Sequence, residues 1–134
     1  MTVLDSSAAA DYLLGSGVAA QVDTLLAEEG PAFAPDLLTF EVLSVMRRGV
    51  FRGDISEQRA LGAVNDLGSV SIVLFPSLPL RSRAFALRHN LTVGDALFAA
   101  LAELRDEPLM TKDRALARAA AEHTEADVVL LEEP

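Results

Sequence analysis

Residues 2–7 read TVLDSS, three residues suited to a buried strand followed at once by an acid and two hydroxyl residues. Ligands of open α/β sheets bind outside the carboxyl ends of the strands. Asp5 therefore has two interpretations. It is either an N-cap that accepts a hydrogen bond at the start of the next helix, or part of a binding site at that edge.

Along the rest of the chain, short strand-type runs alternate with helix-type stretches. Short β-type runs occur at 2–4, 32–34, 70–75, 108–111 and 128–131, and helix-type stretches at 6–14, 17–29, 36–52, 56–68, 79–89, 93–105 and 114–122. Strands separated by helical crossovers predict an α/β sandwich of three layers, a short parallel sheet flanked by about seven helices. The apolar run Ile72–Phe75 predicts a strand covered on both faces. No linker or repeat divides the chain, so we expect one domain over residues 1–134.

Composition narrows the function classes. The chain has no cysteine, which excludes disulfides and thiolate metal sites and agrees with a reducing, cytoplasmic setting. No uncharged run approaches the roughly 20 residues needed to cross a bilayer, so no membrane partner is expected. A net charge of −9 argues against a broad basic face for nucleic acid. It leaves open a local basic rim, and an acidic site that binds a cation.

Three further acids stand in comparable places. Asp113 follows the predicted strand at 108–111 and is again a credible N-cap, and Asp95 lies three residues after Thr92, the spacing of a capping box. Glu41 is harder to explain as a cap. Its neighbours on one helix face are Leu37, Leu38 and Val45, and a carboxylate there must be protonated, paired or bound to a metal.

If these acids converge, their charges repel. Two carboxylates about 5 Å apart repel by about 3 kcal/mol at an effective dielectric near 20, a large share of a domain's stability. A hard divalent cation reverses the sign of that contribution, and oxygen ligands without His or Cys suit Mg²⁺ or Mn²⁺. The sequence thus predicts Asp5 as a metal ligand.

Four motifs in this order resemble a known family, the PIN-domain ribonucleases, and specifically the VapC-type toxins of bacterial toxin–antitoxin pairs. They are VLDSS, PDLLTFEVLSVMRRG, DALFAALA and LMTKDRALARAA, and they span nearly the whole chain. The resemblance implies a PIN-like sandwich with a catalytic, metal-binding pocket of Asp5, Glu41, Asp95 and Asp113. Ser6 and Thr111 are the supporting hydroxyls. One departure is Gly94, where many relatives carry a larger, often aromatic residue.

The resemblance also implies a mechanism and partners. One or two Mg²⁺ or Mn²⁺ ions would activate a water for in-line attack on RNA, leaving 5′-phosphate and 3′-hydroxyl ends. Relatives commonly form homodimers and are inhibited by a cognate antitoxin whose C-terminal segment covers the groove. Lys112 and Arg114 flank Asp113 and are the candidate RNA-binding residues, although basic side chains more often form surface ion pairs.

Other interpretations fit the motifs less well. A haloacid-dehalogenase-type phosphatase needs a second Asp two positions after Asp5, where this chain has Ser7. A phosphorelay receiver needs a phosphoacceptor Asp after the third strand, and SIVLFPS has none. The serious alternative is a non-catalytic PIN-fold module that binds RNA or regulates a partner without turnover.

Overall fold

Five short strands form one parallel sheet. A computed structural model describes all residues from 1 to 134. The strands are β1 (Thr2–Leu4), β2 (Ala32–Pro35), β3 (Ile72–Phe75), β4 (Leu109–Thr111) and β5 (Val128–Leu130). Every neighbouring pair is parallel, and the order across the sheet is β3-β2-β1-β4-β5. The first strand is therefore the central one, and the residue that follows it lies in the middle of the carboxyl edge.

Seven α-helices connect and cover the strands. They are α1 (Ser6–Leu14), α2 (Ala19–Glu29), α3 (Leu37–Arg52), α4 (Glu57–Asp66), α5 (Arg81–Ala86), α6 (Val93–Arg105) and α7 (Arg114–His123). The predicted α/β fold class and the number of helices are confirmed. The helix expected at 79–89 is instead a 3₁₀ turn at Leu78–Leu80 followed by the short α5.

The helices pack as two groups. Helix α1 packs against α2, α3 and α4, and it also contacts β4, while α3 contacts β2. Helix α6 crosses β1, β2 and β4 and carries α5 on its outer side. Its buried face includes Ala96, Ala99, Ala100 and Ala102, small side chains that let the helix approach the sheet closely. The core lies between these layers, and the sandwich holds the carboxyl ends of the strands at one open edge.

Strand β3 differs from the sequence-based prediction. The run Ile72–Phe75 is not buried on both faces: Val73 is 43% exposed and Leu74 is 42% exposed. The reason is its position, because β3 is the outermost strand and is paired only with β2. Separately, none of the helices has the length and apolarity required to cross a membrane.

Candidate active site

Asp5 lies at the centre of the carboxyl edge. The residue is only 3% exposed. Its Oδ2 accepts a hydrogen bond from Thr111 Oγ1 at 2.5 Å, its Oδ1 accepts from the Ala8 N–H at 3.0 Å, and the Ser7 hydroxyl lies 2.8 and 2.9 Å from the two oxygens. Burial raises the pKa of Asp5, and these hydrogen bonds oppose that rise. Asp5 is thus an N-cap whose carboxylate is also desolvated.

Thr111 ends β4, and Asp113 lies in the turn that follows it. The Thr111 hydroxyl, which donates to Asp5, accepts a hydrogen bond from the Asp113 N–H at 2.9 Å. Asp113 caps α7, because its Oδ1 accepts from the N–H groups of Ala115 and Leu116 at 2.9 and 3.1 Å. The turn is therefore bonded both to its own helix and to the central strand. The second carboxylate oxygen of Asp113 makes no hydrogen bond within the chain and is available to a ligand.

Glu41 reaches the same edge from the second turn of α3. Its Oε2 accepts a hydrogen bond from the Ser6 hydroxyl at 3.2 Å, whereas its Oε1 is buried and has no partner. Burial raises the pKa of Glu41, Ser6 opposes this, and the charges of Asp95 and Asp5 raise the pKa further. A buried carboxylate oxygen without a donor is costly, and binding of a cation or a proton there lowers that cost.

Asp95 occupies the first turn of α6. The helix is capped by Thr92, whose Oγ1 accepts a hydrogen bond from the Asp95 N–H at 3.2 Å. Burial raises the pKa of Asp95, the Thr92 hydroxyl opposes the rise, and the neighbouring charge of Asp113 adds to it. The spacing that predicted the Thr92 cap was right, and the Asp95 carboxylate forms no ion pair.

The four acids influence one another electrostatically. Asp95 raises the pKa of both Asp5 and Glu41, and Asp113 raises the pKa of Asp95. No three acidic or histidine side chains are already arranged around a common point so that they could hold a metal ion. An oxygen-only donor set with one unpartnered buried oxygen nevertheless fits Mg²⁺, which usually binds one or two carboxylates and completes its octahedron with waters and substrate phosphates.

Comparison with known proteins places this geometry in a family. The PIN domain family model matches residues 2–122. The chain belongs to the PIN-domain family, and within it to the VapC type. Ribonuclease VapC1 of Mycobacterium tuberculosis is 41% identical over 118 residues, covering 87% of this chain and 89% of the relative. Ribonuclease VapC12 of the same organism is 35% identical over 129 residues, covering 96% and 99%.

A solved structure supports the fold. The crystal structure of PAE2754 from Pyrobaculum aerophilum matches with a TM-score of 0.70 and 23% sequence identity, covering 95% of this chain and 81% of that chain. At that identity the likeness bears on the fold alone. The family assignment and the sandwich architecture predicted from the four motifs are both confirmed.

The two candidate RNA-binding residues are both engaged in ion pairs in this PIN domain. Lys112 Nζ lies 2.9 and 2.8 Å from the two carboxylate oxygens of Asp11. Arg114 pairs with Glu132 at 3.0 Å, and both of these side chains are mostly exposed. An exposed pair costs little to exchange for a phosphate, whereas Lys112 would have to leave a nearly buried partner.

Two contacts of the PIN-domain site were missed by sequence reasoning. Ser7 bonds Asp5 directly, and its position two residues after a capping acid was an available signal. Asp11, which is buried in α1, also accepts from the Val18 N–H at 3.1 Å and so ties Lys112 to the α1–α2 turn. No local signal could have paired Asp11 with a lysine 101 residues later.

Gly94 shapes the wall of the PIN-domain pocket. A Cβ at this position would lie 3.5 Å from Glu41 Oε1 and 3.6 Å from the Leu37 side chain, which is ordinary contact. Glycine therefore leaves open the space directly over the unpartnered oxygen of Glu41.

Proposed function

We propose that this chain is a metal-dependent endoribonuclease that acts as the toxin of a type II toxin–antitoxin system. Membership of the VapC type and the names of the two M. tuberculosis relatives support ribonuclease activity. One structural observation carries the proposal. A buried Asp5 at the end of the central strand has two acidic neighbours, Glu41 and Asp95, and no basic partner, which is unfavourable unless a cation binds.

The proposed metal ligands and catalytic residues are Asp5, Glu41, Asp95 and Asp113. Bound Mg²⁺ or Mn²⁺ would supply a more acidic water and neutralise charge on the phosphodiester. The chain's own residues orient the site. Thr111 and Ser7 hold the Asp5 carboxylate in place, and Ser6 holds Oε2 of Glu41, while the buried Oε1 has no partner within the chain.

Glu41 suits a proton-accepting role near the attacking water. Its raised pKa and its unpartnered Oε1 mean that a proton placed there is stabilised. Attack by water, rather than by the ribose 2′-hydroxyl, would leave 5′-phosphate and 3′-hydroxyl ends. Of the proposed phosphate contacts, Arg114 is the freer to move, because it is 78% exposed in its pair with Glu132.

We propose RNA and a cognate antitoxin as partners, in the cytoplasm, and a homodimer as the assembly. An antitoxin segment that carries a basic side chain into the pocket would replace the charge of the cation and so inhibit the enzyme. The exposed apolar side chains Leu78, Phe85 and Val93, beside the start of α6, are consistent with a covering subunit.

The test is cleavage of RNA by the purified chain in Mg²⁺, in Mn²⁺ and in chelator, with mapping of the new 5′ ends. Asp5→Asn should lower the cleavage rate at least 100-fold while the circular dichroism spectrum stays the same. Asp66→Asn is the matched control, because this exposed acid ends α4 and its side chain makes no hydrogen bond. Equal cleavage by Asp5→Asn and wild type would refute the proposal. RNA that is bound but never cut would support the alternative, a non-catalytic module.

A further inference from the structure

A groove of about 410 Å³ leads away from the Glu41 carboxylate along the outer side of α3. Ser6 and Ser7 line its acidic end, and Phe40, Ser44 and Arg48 line the rest. We propose that this groove is a nucleotide subsite, in which a base of single-stranded RNA stacks on Phe40 and a neighbouring phosphate contacts Arg48. The inference rests on the proposed ribonuclease function and says where the RNA substrate would lie beside the acidic pocket.

The ring of Phe40 is free to stack. It is 68% exposed and directly precedes Glu41 in the chain. Two other strongly exposed phenylalanines are already occupied: the guanidinium of Arg47 lies 4.5 Å from the ring centre of Phe51, and that of Arg88 lies 4.4 Å from Phe85. Phe40 has no such partner. Any base can stack on an open aromatic face, so this contact requires no particular sequence.

Arg48 is placed to hold the backbone. It lies eight residues after Phe40, about 12 Å along the helix axis and on the same side, with Ser44 between them. Like Arg52 and Arg118, Arg48 is exposed and has no ion pair, side-chain hydrogen bond or aromatic-ring contact within the chain, and of these three it is the one that lines the groove. An arginine left unpaired in such an acidic protein is suited to an external anion, and its planar group matches a phosphate.

The lining favours RNA over the other occupants. The core of an interface between two copies of a chain is depleted of charge, whereas this groove has Glu41 at one end and Arg48 at the other. A basic side chain could pair with Glu41 at one end of the groove, but Arg48 would repel a second one at the other end. A polyanion with aromatic bases can stack a base on Phe40 and place a phosphate on Arg48. Its next phosphate would then lie towards the acidic side chains.

The sequence contains no tryptophan, so Phe40→Trp introduces a single tryptophan, whose emission can be excited separately from that of Tyr12. We would titrate this variant with a single-stranded oligoribonucleotide in chelator, so that the RNA stays intact. We expect strong quenching of the emission at saturation. Leu104→Trp is the control, because that side chain is 66% exposed in the last turn of α6 and does not line the groove, so its emission should not change.

Affinity measurements complete the test. Phe40→Ala should weaken RNA binding about 5- to 150-fold, the range expected for the loss of one stacked base. Arg48→Met should weaken it and also reduce the slope of log affinity against log salt by about 0.7, the value for one phosphate contact on a single strand.

The results of these experiments distinguish RNA from a second copy of the chain as the ligand of the groove. If RNA binds to Phe40→Trp without quenching its emission, the proposed subsite is wrong. It is also wrong if Phe40→Ala sediments differently from wild type but binds RNA equally well, because that result would assign the groove to a second copy of the chain. If wild type cuts RNA and Phe40→Ala cuts and binds it equally well, the subsite is wrong and the ribonuclease function stands. If quenching occurs but no divalent ion supports cleavage, the subsite stands and the ribonuclease function fails.

Discussion

At the scale of single residues, hydroxyl groups rather than basic side chains orient the carboxylates of Asp5 and Glu41. Asp5 accepts hydrogen bonds from the hydroxyl groups of Thr111 and Ser7, and Glu41 accepts one from the hydroxyl group of Ser6. None of the four acids takes part in an ion pair. Hydroxyl donors orient a carboxylate without neutralising it, so the mutual repulsion persists until a cation arrives.

The raised pKa values predict how stability depends on pH. Asp5, Glu41 and Asp95 bind protons more tightly in the folded chain than in the unfolded chain. Their contribution to the free energy of unfolding is therefore full below the ordinary carboxyl pKa near 4 and is lost as pH rises through the raised values. In chelator, Glu41→Gln should melt about 2–5 °C above wild type at pH 7.5 and show a flatter pH profile. Superimposable melting curves across pH 4.5–8 would contradict the pKa direction.

Asp113 combines two roles that substitution can separate. Asparagine retains the capping oxygen but loses the charge, whereas alanine loses both. We expect Asp113→Asn to unfold like wild type and to cleave RNA at least 10-fold more slowly. Asp113→Ala should lose the same activity and about 1 kcal/mol of stability as well. Urea unfolding and cleavage rates measured on both variants check this, and equal destabilisation by the two would mean that the cap is not what the alanine removes.

At the scale of elements, the Lys112–Asp11 pair joins the β4–α7 turn to the end of α1. Removing the lysine leaves a mostly buried carboxylate without a counter-charge, which we expect to cost about 1–2 kcal/mol for this partly exposed pair. Lys112→Met should therefore lower the urea midpoint, and adding Asp11→Asn should restore part of the loss. If Lys112 also binds phosphate, Lys112→Met will reduce the salt slope of RNA binding by about 0.7. An unchanged slope would restrict Lys112 to positioning the turn.

The difference between local contacts and contacts between elements explains which features could be predicted from the sequence. The caps at Asp5, Thr92 and Asp113 were predictable because a cap depends on residues two or three positions away. The exposure of β3 was not, because it depends on the order of strands in the sheet. The proximity of Glu41 to Asp95 was expected only through the resemblance. The free ring of Phe40 could not be found without knowing which other rings an arginine covers.

At the scale of the whole molecule, a chain of net charge −9 concentrates four acids at one edge. We predict that Mg²⁺ or Mn²⁺ stabilises the fold, by about 2.7 kcal/mol at a free concentration 100 times the dissociation constant. Thermal melts with and without the ion should show a rise for wild type and for Asp66→Asn, and little or none for Asp5→Asn. A rise of equal size in Asp5→Asn would place the ion elsewhere.

The hydrogen bond between Asp5 and Thr111 links two residues that are synthesised 106 positions apart. The second residue leaves the ribosome only when most of the protein has already been made. A chain still in translation therefore lacks one wall of the proposed catalytic pocket, and we expect fragments that stop before residue 108 to be harmless to the cell that makes them. Growth of cells that express such fragments, beside cells that express the full chain, would show whether the proposed activity requires the segment that is made last.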